Sequence, residues 1–125
     1  MYLNPLDQKA NARKWYLANL AITKDRAMKF KKFAQVRNKA FVDKYKAEKG
    51  CKDCGIKYDP WIMDLDHLPQ FKKCRGVSKI VLRAQSLNII KIELKKCDVV
   101  CSNCHRIRTY SRMKSWRNVE FLIGR

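Results

Sequence analysis

At 125 residues and 46% hydrophobic content, the chain has material for one modest core and an extension. No stretch approaches the ~18 consecutive apolar residues of a membrane span. A formal net charge of +18 points towards a polyanionic partner, with nucleic acid first among the candidates.

That charge is unevenly spread. Residues 1–50 carry 13 Lys/Arg against 4 Asp/Glu, residues 51–70 carry 2 against 4, and residues 71–125 carry 14 against 3. Two basic arms therefore flank a short acidic island.

Asn4-Pro5-Leu6-Asp7 is a helix start: Asn caps, Pro fits the first turn, and Asp complements the positive helix end. This predicts a helix to about Asn19. A second is predicted from about Lys24 to Glu48, with Gly50 as its stop. Ala27, Phe30, Phe33, Ala34, Phe41 and Tyr45 mostly recur at helical spacing and are expected to pack on the domain. Lys31, Lys32 and Arg37 lie on the other faces and are candidates for phosphate contact.

Residues 51–56 form a tight Cys-x-x-Cys-Gly turn, and Asp59-Pro60 signals another turn. Trp61 to His67 alternates like a strand, with Met63, Leu65 and His67 on one face and Ile62, Asp64 and Asp66 on the other. Pro69 ends it. Residues 70–85 read as a basic loop. Ser86 caps a short helix to about Lys96, and Asp98-Val99-Val100 reads as a second strand. Ser102 is expected to cap a helix running to about Arg117. The apolar Val119–Ile123 tail is expected to pack. These elements divide the chain into a basic helical extension, 1–49, and a domain, 50–125.

Cys51-Lys52-Asp53-Cys54 and Cys101-Ser102-Asn103-Cys104 are two matched knuckles, the ligand pattern of a structural four-cysteine zinc site. Met1-Tyr2-Leu3-Asn4-Pro5 lacks a signal-peptide core, so the expectation is a reducing compartment, where paired cysteines favour metal over disulfide. Cys97 reads as a core thiol and Cys74 as a loop thiol. The knuckles are 46 residues apart, against the ~15–20 of a plain paired-knuckle site. Between them lie His67, Asp64 and Asp66, and the second knuckle runs into His105. These are the two histidines of the chain. The zinc is thus expected to be a scaffold that brings both into one site. Asp64 reads as a solvated charge. Trp15, Trp61 and Trp116 are read as packing residues more readily than as base-stacking ones.

Cys51-x-x-Cys54-Gly55, Asp66-His67 and Cys101-Ser102-Asn103-Cys104-His105-Arg106-Ile107-Arg108-Thr109 together resemble the HNH nuclease family, over residues 50–112. The resemblance implies an α+β fold built on a ββα-metal module. It implies that Asp66 is a metal-binding acid, His67 the general base and His105 the second metal ligand. The family's middle Asn would fall at Lys96; Asn103 is the nearest substitute and Asn88 a remoter one. The carboxylate and imidazole set suits Mg²⁺ or Mn²⁺ and admits Ni²⁺ or Zn²⁺. Arg106, Arg108 and Arg112 follow on the same helix, and Arg108 and Arg112 share a face with His105, where they are expected to hold phosphates. The implied activity is metal-dependent endonucleolytic hydrolysis of DNA, by nicking or double-strand cutting, with RNA left open. The implied setting is the cytoplasm of a bacterial host, with phage or mobile-element origin among the options, and the enzyme a monomer or homodimer. The alternative is a zinc-stapled nucleic-acid-binding module without catalysis, which has no need of Asp66, His67 and His105 together.

Overall fold

The computed structural model describes residues 4–113. Among them are five helices and a two-stranded antiparallel sheet, an α+β arrangement. No helix among them is long and apolar enough to cross a membrane.

Helix α1 (Pro5–Ala18) starts where the cap predicts, with the Leu6 N–H donating to Asn4 Oδ1 at 3.2 Å. It stops at Asn19, whose side-chain amide donates to the Trp15 carbonyl. Helix α2 (Leu20–Lys49) follows at once and runs 30 residues, about 45 Å. Gly50 ends it at a φ of 68°, a left-handed value that glycine takes without strain. A Cβ there would also meet the Lys57 side chain at 2.9 Å.

Only the second half of α2 meets a core. Val42 is buried, and Phe41 and Tyr45 pack beside it. Phe30 and Phe33 are 75% and 68% exposed, so the expected packing of all the helix aromatics fails for these two. The physical reason is reach: β1 and the helices that pack on α2 meet it downstream of them. Trp15 and Trp61 are likewise exposed rather than packed.

A short 3-10 turn at Pro60–Ile62 leads into β1 (Met63–His67), which pairs with β2 (Cys97–Cys101). The register sets Met63 opposite Cys101, Leu65 opposite Val99 and His67 opposite Cys97. The strand is shorter at its start than alternation suggests, because Pro60 directs the turn. Between the strands lie α3 (Val77–Leu82) and α4 (Leu87–Leu94). Helix α3 corrects the expectation of a loop over 70–85. Six residues are too few to display a period, but Val77 and Ile80 bury against α2 and α4 and stabilise it. Helix α4 begins as predicted, with Ser86 Oγ accepting from the Ile89 N–H.

Helix α5 (Ser102–Arg112) holds a second correction. Its cap is Cys101, whose Sγ accepts from the Cys104 N–H at 3.4 Å. Ser102 Oγ instead donates to the Ile62 carbonyl at 2.7 Å, tying the helix start to the entry of β1. The helix ends at Arg112, five residues before the expected stop. Trp116 and the Val119–Ile123 tail lie outside the described residues.

Two apolar clusters result. Val42, Val77, Ile80, Ile90, Leu94 and Cys97 join α2, α3, α4 and β2. Cys51, Met63, Val99, Val100 and Cys101 lie under the knuckles. Leu65 and Tyr45 touch both. Fully burying side chains such as Met63, Ile90 or Val100 contributes roughly 1.5–3 kcal/mol each. The sheet is thereby held between an apolar side and α5.

Candidate metal centre and histidine cleft

The first knuckle is shaped by its own backbone. The Cys51 N–H donates to the Ile56 carbonyl, the Gly55 N–H donates to the Cys51 carbonyl, and Gly55 takes a φ of 74°. The Lys52 N–H donates to the Val99 carbonyl at 2.9 Å, docking this knuckle on β2. The second knuckle joins the end of β2 to the start of α5. The Sγ atoms of Cys51, Cys54, Cys101 and Cys104 consequently lie within 4.8 Å of one another. Cys54 and Cys101 Sγ are 4.0 Å apart. Four sulfurs ~2.3 Å from one zinc would be separated by ~3.8 Å, so this donor set fits a tetrahedral Zn²⁺. Burial opposes charge on Cys51, but backbone N–H groups from Cys54, Cys101 and Asp53 outweigh it and pull its thiol down to about 6. Its hydrogen bond to Cys101, with burial, pushes Cys104 up to about 12. Cys97 is buried away from this cluster and donates to the Glu93 carbonyl, the core thiol expected; Cys74 is exposed.

Strand β1 and helix α5 set out the histidines. Alternation along β1 sends Asp64 and Asp66 towards α5, while His67, the last residue of the strand, turns towards α4. His105 sits one residue beyond the second knuckle, so its position follows from where Cys104 is held. His67, His105, Asp64 and Leu65 line one cleft of about 270 Å³, together with Lys46 and Lys73.

Each histidine has one ring nitrogen taken by a carboxylate. His105 Nδ1 donates to Asp64 Oδ2 at 2.9 Å. Asp64 is therefore not the solvated charge that its position in the strand suggests. His67 Nε2 donates to Glu93 Oε1 at 2.8 Å. A carboxylate only accepts, so these contacts make the bonded nitrogen the donor, and in a neutral ring the other nitrogen is the bare one. On His105 the bare atom is Nε2, 3.7 Å from Asp66 Oδ1.

Asp66 is 5% exposed and carries an ion network. Arg112 donates to it through Nη1 and Nη2, both at 2.8 Å. Arg108 Nη1 donates to Asp66 Oδ2 and Asp98 Oδ2, both at 3.0 Å. Its Nε and Nη2 form a bidentate pair with Asp53, inside the first knuckle, at 2.6 Å each. Burial pushes the Asp66 carboxyl up, but the bonds from Arg112 and Arg108 outweigh it and hold it below the usual range. Asp53 is held low chiefly by its bond from Arg108. Arg108 and Arg112 thus face carboxylates of their own chain. Arg106 is exposed on another face of α5, in a groove with Asn103, Ile107 and Tyr110. Asn103 precedes His105 by two residues, roughly 200° around the helix, and is not brought to His67. Lys31, Lys32 and Arg37 are exposed on α2, and Arg37 donates to the buried Asn38 side chain.

Asp53, Asp98 and Glu93 are not evident from the sequence as site residues. Glu93 leaves one signal: it is the single acidic residue between His67 and Asp98, and it falls on the Ile90 and Leu94 face of its helix. Asp53 and Asp98 leave none, because nothing local marks Arg108, 55 and 10 residues on, as their shared partner. Comparison with protein-family models, curated proteins and solved structures finds no match to this chain.

Proposed function

We propose that the protein is a metal-dependent nuclease of the HNH type, hydrolysing phosphodiester bonds in DNA, with the four-cysteine zinc site as its scaffold. One observation carries the reading: the zinc-ligand cluster anchors α5 so that His105 shares one cleft with His67 and two lysines. The +18 charge supports a polyanionic substrate.

Phosphodiester hydrolysis requires a base for the attacking water. His67 suits that role, because with Nε2 donating to Glu93 its Nδ1 is the lone-pair nitrogen. Asp66 and His105 would hold the catalytic divalent ion. Their Oδ1 and Nε2 atoms lie 3.7 Å apart, and an oxygen and an imidazole nitrogen are donors that such an ion would take. Bound there, such an ion supplies positive charge to the scissile phosphate and the leaving oxygen. Asp64 holds His105 with Nε2 towards Asp66, a carboxylate–histidine support common around ligating imidazoles. Lys46 and Lys73 line the cleft and attract phosphate. Arg106 and the exposed α2 cations, Lys31 and Lys32, extend that attraction along the molecule.

The Asp66–Arg112 pair favours a second reading, a binding module without catalysis, because a guanidinium there competes with a metal ion for the same carboxylate. Incubating supercoiled plasmid with the zinc-loaded protein and Mg²⁺, Mn²⁺ or Ni²⁺ separates the two. Nuclease action predicts relaxed or linear product, lowered about 10²–10⁴-fold in His67→Ala. Binding without cleavage in all three metals would leave the module reading. Cleavage undiminished in His67→Ala would remove His67 as the base.

A further inference from the structure

A buried carboxylate needs a reason. Glu93 is 2% exposed, on the face of α4 that also buries Ile90 and Leu94. An apolar residue there would avoid the cost of desolvating a charge. Its oxygens are instead fully occupied: Oε1 accepts from His67 Nε2 at 2.8 Å and from the Cys74 N–H at 3.3 Å, and Oε2 accepts from Lys96 Nζ at 3.0 Å. The His67 side chain is itself mostly enclosed. Lys96 also donates to the Lys72 carbonyl, so the loop after β1 and the end of α4 both converge on this carboxylate.

We propose that Glu93 is the positioning residue for His67, fixing the ring plane through Nε2 and directing Nδ1 into the cleft. The consequence for rate rests on the nuclease reading above; the consequence for the ring does not. Glu93 touches neither substrate nor metal in this scheme and acts only through the imidazole. The inserted helix α4 thereby gains a purpose, since it carries the carboxylate to the end of β1, 26 residues on from the histidine. Asn103, on the wrong face of α5, is not needed for that role.

The direction of the bond has a measurable signature. A carboxylate obliges the ring to donate, whereas an amide offers both a donor and an acceptor and leucine offers neither. The full chain, zinc-loaded and ¹⁵N-labelled at histidine, reports the tautomer of each ring through long-range ¹H–¹⁵N correlations. The chain has two histidines, so the spectrum of His67→Ala assigns both. In spectra recorded where the rings are neutral, His67 of the native protein is expected wholly as the Nε2–H tautomer. In Glu93→Leu, and to a smaller extent in Glu93→Gln, the Nδ1–H form becomes populated. The kcat of plasmid cleavage falls roughly 10–100-fold in the leucine variant, the range for lost imidazole supports, and several-fold in the glutamine variant. KM stays where it is, because no substrate contact is lost.

A folded variant, with one zinc bound, that keeps His67 entirely Nε2–H and kcat unchanged overturns the proposal. If Glu93→Leu does not fold, the isosteric Glu93→Gln decides by the same two readouts. A native protein that never cleaves, yet whose His67 tautomer shifts in Glu93→Gln, refutes the nuclease reading and keeps the positioning role. Cleavage and tautomer both indifferent to residue 93 do the reverse.

Discussion

The four-cysteine cluster and the histidine cleft stand on the same two strands and the same helix, yet they are built on opposite terms. At the cysteines, four donor atoms converge and find mainly one another. At the cleft, each imidazole and carboxylate already has a partner within the chain: Asp64 for His105, Glu93 for His67, Arg108 and Arg112 for Asp66. Convergent thiols have no comparable internal solution, and a bound metal would supply one. The polar groups of the cleft are paired within the protein and need no metal to satisfy them.

Removing a thiolate therefore has the largest effect. Cys101→Ser retains an oxygen able to cap α5 but loses a zinc ligand, and apparent zinc affinities in small structural sites reach about 10–16 kcal/mol. Loss of bound zinc and of the cooperative thermal transition is expected, read by a zinc-release assay and circular dichroism. A Cys101→Ser protein that melts like the native one would mean that the cluster is not a staple.

Arg108→Ala attacks the cleft side of the comparison. It leaves Asp53, Asp66 and Asp98 without the guanidinium they share. Breaking a buried pair by removing one partner costs about 3–5 kcal/mol. Zinc should stay bound while the melting temperature falls; zinc loss in this variant would show that the two sites are one cooperative unit.

Acid separates the sites by pH. Asp53, Asp66 and Glu93 have folded-state pKa values below their ordinary ones. Depressed carboxyls contribute stability that is complete above their unfolded values, near ~4, and is lost as pH falls through the lower folded ones. Thiolates bound to zinc follow the same sign from an unfolded value near ~8.5. Denaturant titrations should thus show stability declining from about pH 8 to 6 with zinc present, and flat over that range in the carboxylate contribution. Its Asp53 and Asp66 part is isolated as the difference between native and Arg108→Ala proteins; a slope in that difference above about pH 5 would contradict the assignment.

The smallest effect belongs to α2. Phe30 is exposed, so Phe30→Ala should change stability by no more than ~0.5 kcal/mol. Phe41, packed against the core, should cost about 3 kcal/mol or more when cut to alanine. Equal losses at the two positions would mean that the first half of α2 is covered in the protein's working state.

The same contrast explains how legible each part is in the sequence. The knuckles, both strands and the first helix cap are written in short-range spacing, and they fall where those patterns place them except that Trp61 and Ile62 go to a turn before β1 and β2 extends by one residue at each end. Phe30, Phe33 and Phe41 carry identical chemistry at helical spacing, and nothing local says that the neighbouring elements reach only one of them. Helix α3 lacks the length for a period. The carboxylate partners of His67, His105 and Arg108 are 26, 41 and 55 residues away. Sequence yields the donors and acceptors there, but the pairing is decided by which faces the sheet and α5 turn to each other. Asp53 sits inside a motif defined by its cysteines, yet its ion pair joins the knuckle to the cleft.

The knuckle spacing also bears on how the chain folds. Joining Cys54 to Cys101 closes a ring around 46 intervening residues, and for a loop of that length the closure entropy is about 3 kcal/mol beyond its constant part. The ladder from Met63 to His67 closes a smaller ring of 29 residues, between His67 and Cys97, and leaves the knuckles in register. Helices α3 and α4 lie inside that smaller ring and pack on each other, and on α2 outside it. The cheapest order of events is helices first, hairpin second and metal last, so that zinc acts as a latch on a nearly finished domain rather than as its nucleus.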